Sequence, residues 1–173
     1  MKPSDRFDSL LQFYSERAGL PWPVIKRQMM QESAGNPDAE SPVGAVGLLQ
    51  LMSATAQEMG CEDRRNPDKN LRAGTEYLAR QLANVKLMLH GVAPASDDDL
   101  LRMALGSYNG GYGYIRAAAK LALEALAPGA PLTWALVASQ LPKAEVRGRK
   151  PDVKQIVTYV ERIHPIPSAP PPH

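Results

Sequence analysis

A mainly α-helical fold follows from three features of the sequence. Apolar residues recur three and four apart in segment after segment, the spacing that lines one face of a helix. No stretch sustains the strict alternation of a half-buried strand. Proline and glycine stand between the periodic segments, where they end one helix or open the next. The one place for a very small β element is residues 43–50.

The elements follow in order. Ser4 is placed to cap a first helix carrying Phe7, Leu10, Leu11, Tyr14 and Ala18, which Gly19 and Pro21 end. The next helix opens near Pro23 and reaches Ser33, before Gly35-Asn36-Pro37, and residues 37–47 read as loop. A short helix over 53–59 has Ser53 as its cap and Gly60 as its stop. The clearest helix covers 70–89, where Leu71, Thr75, Leu78, Leu82, Val85 and Leu89 share one face and read as core. Asp97-Asp98-Asp99 precede a helix over 100–108, where negative charge suits the positive N-terminus, and Asn109-Gly110-Gly111 stop it. Helices over 115–126, 132–141 and 153–163 complete the domain. The last carries Val153, Ile156, Val157, Val160 and Ile163 on one face. Before it, Lys143, Arg147, Arg149, Lys150 and Lys154 outnumber Glu145 and Asp152. That stretch reads as a solvated loop, with contact to an anionic polymer as the alternative. From His164 onward half the residues are proline, so a domain over 1–163 is followed by an extended tail over 164–173.

Composition narrows the function. A chain of 173 residues, 44% apolar and 22% charged, can bury a real core despite its 16 prolines. The single cysteine, Cys61, allows no internal disulfide and no thiolate metal site. No apolar run approaches the roughly 18 residues of a membrane span, and no signal-type apolar region follows Met1. Met1 directly before a helical pattern reads as the start of a complete short protein. A net charge of +2 argues against a dedicated nucleic-acid binder. The three adjacent Asp fit no calcium-loop spacing, and no metal or cofactor is implied. His90, His164 and His173 lack triad neighbours and are expected at the surface. The expectation is a monomer without stable membrane insertion.

Glu32 stands apart from the other polar residues. It follows Ile25 by seven positions and Met29 by three, which puts it on the apolar face of its helix, within about 20° of Ile25. A carboxyl on such a face is desolvated, which raises its pKa and favours the neutral acid. A neutral acid near pH 7 is what general-acid cleavage of a glycosidic bond needs. A helix-terminal Glu turned outward is the alternative reading.

An ordered series of motifs surrounds it. Glu32-Ser33 is followed by Ser41, Gly44-Ala45, Gly47-Leu48-Leu49-Gln50-Leu51-Met52 and Thr55-Ala56. Then come Asn66-Pro67, Asn70-Leu71-Arg72-Ala73-Gly74, Tyr77-Leu78, Ser107-Tyr108-Asn109-Gly110-Gly111 and Tyr159. In this order the set resembles the soluble lytic transglycosylase family, lysozyme-like enzymes that cut peptidoglycan. The resemblance implies the goose-type lysozyme and lytic transglycosylase fold. It also implies cleavage of the β-1,4 bond between N-acetylmuramic acid and N-acetylglucosamine, leaving 1,6-anhydromuramic ends. By resemblance Glu32 is the catalytic acid and then base. Ser33 would orient the carboxyl or touch the sugar, unless it merely hydrogen-bonds at the helix end. Gly44 and Gly47 would let the backbone approach the glycan strand. Gln50 and Met52 would line the groove. Tyr108 and Asn109 would meet a sugar face and an N-acetyl group, and the Tyr159 hydroxyl would contact the carboxyl. Leu49, Ser53 and Ser107 depart from the family's usual Met, Pro and Ala without removing a polar group.

Two other readings compete. A goose-type muramidase using water would need a second carboxylate, with Asp38 and Glu40 as candidates. A glycan-binding module of a virion or secretion machine would need none. For setting, a protein made in the cytoplasm and released to the periplasmic wall fits a phage endolysin or virion lysin; a secretion-apparatus enzyme without its leader is the alternative.

Overall fold

The computed structural model describes residues 5–166, so the expected Ser4 cap, His173 and the tail from 167 onward lie outside the described residues. Among the described residues eight α-helices follow one another: α1 Asp8–Ala18, α2 Trp22–Ser33, α3 Ser53–Glu58, α4 Pro67–Leu89, α5 Asp97–Gly110, α6 Tyr112–Glu124, α7 Trp134–Gln140 and α8 Val153–Ile163. A 3-10 turn, Leu141–Lys143, extends α7. In place of strands, the described residues have isolated bridges, Glu40 with Val46 and Val46 with Leu51 in the expected region, and Val146 with Arg149.

Helix α5 is the axis of the body. Every residue from Leu101 to Ser107 is buried, and α4, α6, α7 and α8 pack around it. Met103, Leu105, Ile115, Trp134 and Val137 fill the centre. Burying side chains of this size stabilises by about 1.5–3 kcal/mol each relative to exposure. Helix α2 sits between α1 and α8, with Ile25 and Met29 fully buried. A smaller cluster of Leu51, Ala56, Cys61 and Ala73 joins α3 and the preceding loop to α4. The loop over residues 34–52 and α3 therefore form a flap beside the body, and α2 ends at the junction.

Several ends differ from the sequence expectation. Helix α4 starts three residues before Asn70, because Asn66 accepts from the Lys69 amide and Pro67 occupies the first turn. Ser53 does not cap α3; it is the first helical residue, and Met52 holds the cap position without a side-chain bond. The Asp triplet lies inside the first turn of α5, with Ser96 as the cap. That helix runs on through Asn109 and Gly110, since Gly110 is where α5 meets α8 and a Cβ there would collide with Ile156. Thr133 caps α7 and Asp152 caps α8. The boundary expected after Ile163 is crossed by a tether. Buried Arg102 donates to the carbonyls of His164 and Pro165 (both 3.0 Å), and His164 itself, expected at the surface, pairs with Asp98 at 2.8 Å.

Candidate active site

Glu32 lies in the last turn of α2, with Ala34 beyond it in the left-handed region at φ 52°. A non-glycine residue there costs roughly 1–2 kcal/mol, and it turns the chain sharply into the flap. Three features act on the carboxyl. Burial pushes its pKa up to about 7, the hydroxyl of Tyr159 pulls it down by donating to Oε1 at 2.6 Å, and the negative end of α2 opposes ionisation. Burial wins, so the acid and its anion are comparably populated at neutral pH.

Tyr159 reaches Glu32 from α8, where it shares the buried face with Ile156 and Ile163. Its hydroxyl accepts from Gln28 Nε2 at 3.0 Å, one turn before Glu32 on α2. Burial holds the phenols of Tyr159 and Tyr108 well above the ordinary tyrosine range, so each remains a neutral donor.

The carboxyl opens onto two cavities. One of about 470 Å³ is lined by Gln31, Asn109, Gln155, Thr158, Tyr159 and Arg162, with Asp152 and Lys154. The other, about 240 Å³, lies under the flap between Ser41, Val43, Ala45, Gln50, Met52, Tyr108, Asn109 and Gln155. Glu32, Asn109 and Gln155 line both. A third hollow of about 490 Å³ beside Trp22 and Arg27 joins the first at Gln31 and Arg162, but no carboxylate lines it. The chemistry therefore centres on the junction at Glu32, where the two cavities that share Glu32, Asn109 and Gln155 make up the candidate groove.

The structure sorts the other candidate residues into two groups. Facing the groove are Met52, 44% exposed, and Asn109, whose Oδ1 is buried without a hydrogen-bond partner. Tyr108 borders it with its ring, packed edge-on against Tyr77, while its hydroxyl is committed to the Leu49 carbonyl at 2.7 Å. Gln50, at φ 46°, also borders it, but its amide donates to the Ala39 and Gly47 carbonyls at 3.1 and 3.0 Å and so ties the flap together.

Ser33 and the loop glycines belong to the scaffold. The buried Ser33 hydroxyl lies within hydrogen-bond reach of the Met29 and Leu48 carbonyls (3.1 and 2.9 Å), so it makes the helix-end bond named as its alternative role and also joins helix to flap. Gly47, at φ 87°, is demanded by packing: a Cβ would strike the Arg64 carbonyl and the Asn70 amide. Gly44 shares the left-handed geometry in open space.

Two residues of the site, Gln28 and Gln155, were not singled out from sequence, and a third, Asn70, was quoted only within a motif and given no role. Gln28 and Gln155 each stand four residues before a singled-out one, Glu32 and Tyr159, so shared helix faces were the available signal. Asn70 is fully buried. It accepts from the Leu49 amide (2.8 Å) and donates to the Val46 and Arg64 carbonyls (3.1 and 2.8 Å), fixing the flap on α4. Neither muramidase candidate lines the cavities at Glu32: Glu40 pairs with Arg65, and Asp38 is exposed.

Residues 9–125 match the transglycosylase SLT domain family. The chain is 36% identical over 140 residues to membrane-bound lytic murein transglycosylase F of Vibrio cholerae, covering 81% of this chain and 24% of that protein. It is 34% identical over 166 residues to the Desulfosudis oleivorans protein of the same name, covering 91% and 35%. Among solved structures it resembles an inactive glutamate-to-glutamine mutant of lytic transglycosylase Slt from Pseudomonas aeruginosa, with a TM-score of 0.64, 25% identity and coverage of 92% and 23%. It also resembles the 70 kDa soluble lytic transglycosylase from Escherichia coli, with a TM-score of 0.59, 25% identity and coverage of 92% and 24%. The chain thus spans about a quarter to a third of the length of these relatives. Its fold is the mainly helical, lysozyme-like one expected from the sequence.

Proposed function

The chain belongs to the transglycosylase SLT domain family, and from that premise we propose that it cleaves the glycan strands of peptidoglycan as a lytic transglycosylase, with Glu32 as the single acid and base. The observation that carries the reading is the carboxyl of Glu32, held near pKa 7 at the junction of two cavities with one tyrosine as its partner. Inactivation of the Pseudomonas aeruginosa relative by a single Glu-to-Gln change supports a glutamate-dependent reaction.

The step balances without a second carboxylate. Neutral Glu32 gives its proton to the oxygen bridging the two sugars as the bond from that oxygen to the muramic C1 breaks. The resulting carboxylate then takes the proton of the muramic 6-hydroxyl as O6 bonds to C1, and the acid is regenerated. A nucleophile on the same sugar has a high effective concentration, so water need not be activated. Asp152 is the one further carboxylate lining the cavities at Glu32, and it spends an oxygen capping α8 through the Gln155 amide at 2.9 Å. Asn109 and Tyr108 are the proposed sugar contacts, with Met52 and Gln50 along the flap.

The working unit is proposed to run from the first helix through Ile163, with the tether to Pro165 closing it. For delivery we propose release to the cell wall in phage-type lysis or carriage by a virion, and the neighbouring genes test this. Activity is tested by mixing purified sacculi with the wild-type chain and with Glu32→Gln. The wild type should clear the suspension, and the variant should lose at least a hundredfold in rate. Equal clearing by both would refute the role of Glu32.

A further inference from the structure

Gln28 is fully buried, yet only one end of its amide is engaged. Nε2 donates to the Tyr159 hydroxyl at 3.0 Å, and Oε1 has no partner. Nothing except Tyr159 therefore fixes which way round the amide stands. A hydroxyl can donate and accept, and an amide can present either N–H or oxygen to the same neighbour by rotating about its last bond. The row Gln28–Tyr159–Glu32 can therefore run in two directions. With Glu32 ionised, Gln28 donates to Tyr159 and Tyr159 donates to Glu32 Oε1, which fits the placement of Gln28 Nε2 and Glu32 Oε1 on either side of the hydroxyl. With Glu32 neutral and its proton on Oε1, that proton can go to Tyr159, and the Tyr159 proton needs an acceptor, which Gln28 Oε1 supplies once the amide turns.

We infer that Gln28 is a positioning residue whose amide reverses with the charge on Glu32, so that a hydrogen-bonded row supports the carboxyl both as acid and as base. The inference rests on the proposed role of Glu32, where the carboxyl loses and regains a proton within one turnover. A leucine or methionine at this position would fill the space and serve neither state. Asparagine would be too short to reach from α2 to Tyr159. The ionisable groups around Glu32 are Tyr159 on α8 and Tyr108 on α5, with Asp152, Lys154 and Arg162 on the α8 wall of the larger cavity. No histidine lines either cavity. Both phenols stay neutral well above pH 7.

The test uses the whole chain labelled with nitrogen-15 and carbon-13. The side-chain amide signals of Gln28, assigned by their loss in Gln28→Met, should move with pH. Their midpoint should coincide with that of the Glu32 carboxyl carbon, and the movement should vanish in Glu32→Gln and in Tyr159→Phe. On sacculi, Gln28→Met should lower kcat about tenfold, the worth of one net hydrogen bond, with KM unchanged. Amide signals that stay fixed while Glu32 titrates would overturn the inference, as would an unchanged kcat in a folded Gln28→Met chain. The amide titration is read without substrate. If Glu32→Gln still cleaved sacculi while the amide titrated, the functional reading would fail and the coupling of Gln28 to Glu32 would stand.

Discussion

Replacing Glu32 by Gln should stabilise the protein, and the gain should depend on pH. The carboxyl has an ordinary value of 4.5 and is raised to about 7 by burial. Folding therefore favours the neutral form. Below pH 4.5 the residue is neutral folded and unfolded alike, and it costs nothing. Between pH 4.5 and 7 the unfolded chain ionises while the folded chain holds its proton, so the cost grows across that window and levels off once the folded carboxyl has ionised above 7. At ~1.36 kcal/mol for each pH unit separating the two values, the full cost is ~3 kcal/mol. Glutamine cannot ionise, fits the same space, and its oxygen can still accept from Tyr159. The difference in unfolding free energy between variant and wild type should be close to zero at pH 4 and about 3 kcal/mol by pH 8, read from urea titrations at each pH. In heating experiments at pH 8 that corresponds to about 6–12 °C in Tm. A difference that stays constant from pH 4 to pH 8 would refute the claim that burial holds the acid neutral.

Three further outcomes follow from the same geometry. Tyr159→Phe removes the donor that lowers the Glu32 pKa, so the acid should persist to higher pH and the alkaline limb of the pH–rate curve should move up; a downward move would contradict the assigned direction of that bond. Gly47→Ala forces a Cβ onto the Arg64 carbonyl and Asn70, whereas Gly44→Ala meets open space at a similar positive φ. The first should lose about 3 kcal/mol or more and the second about 1–2 kcal/mol, measured by urea unfolding. Asn70→Ala strips two hydrogen bonds to flap backbone and one to the Arg64 carbonyl and leaves buried groups unpaired, for a loss of about 3 kcal/mol or more. Flap amides should then exchange with solvent faster than those of α5.

The helices were legible where burial writes a period into the sequence. The stripe on α4 and the α8 face containing Tyr159 are of this kind. Their ends were less so, because Asn66, Ser96 and Thr133 act through single hydrogen bonds that leave no pattern. Gly110 misled because a glycine after Asn signals a turn locally, while here it clears space for Ile156 between two helices. Glu32 was legible from its position on an apolar face. Ser33 makes the helix-end hydrogen bond that stood as its alternative role, and Gly47 has a packing demand that its sequence neighbours do not reveal, because a polar or glycine residue beside a cleft can serve the scaffold as well as the ligand. Gln28 escaped notice, and Asn70 was quoted without a role, for a related reason: one buried amide among apolar neighbours looks like any surface amide until its partners, distant in sequence, are known.

The most direct test of the central claim is the mass of the products released from purified sacculi. Transfer to the 6-hydroxyl of the same sugar gives muropeptides with 1,6-anhydromuramic ends, lighter by one water than hydrolysis products. The account predicts the lighter set from the wild-type chain and none from Glu32→Gln. Products carrying the extra water would contradict it and would mean that Glu32 activates water as a muramidase does.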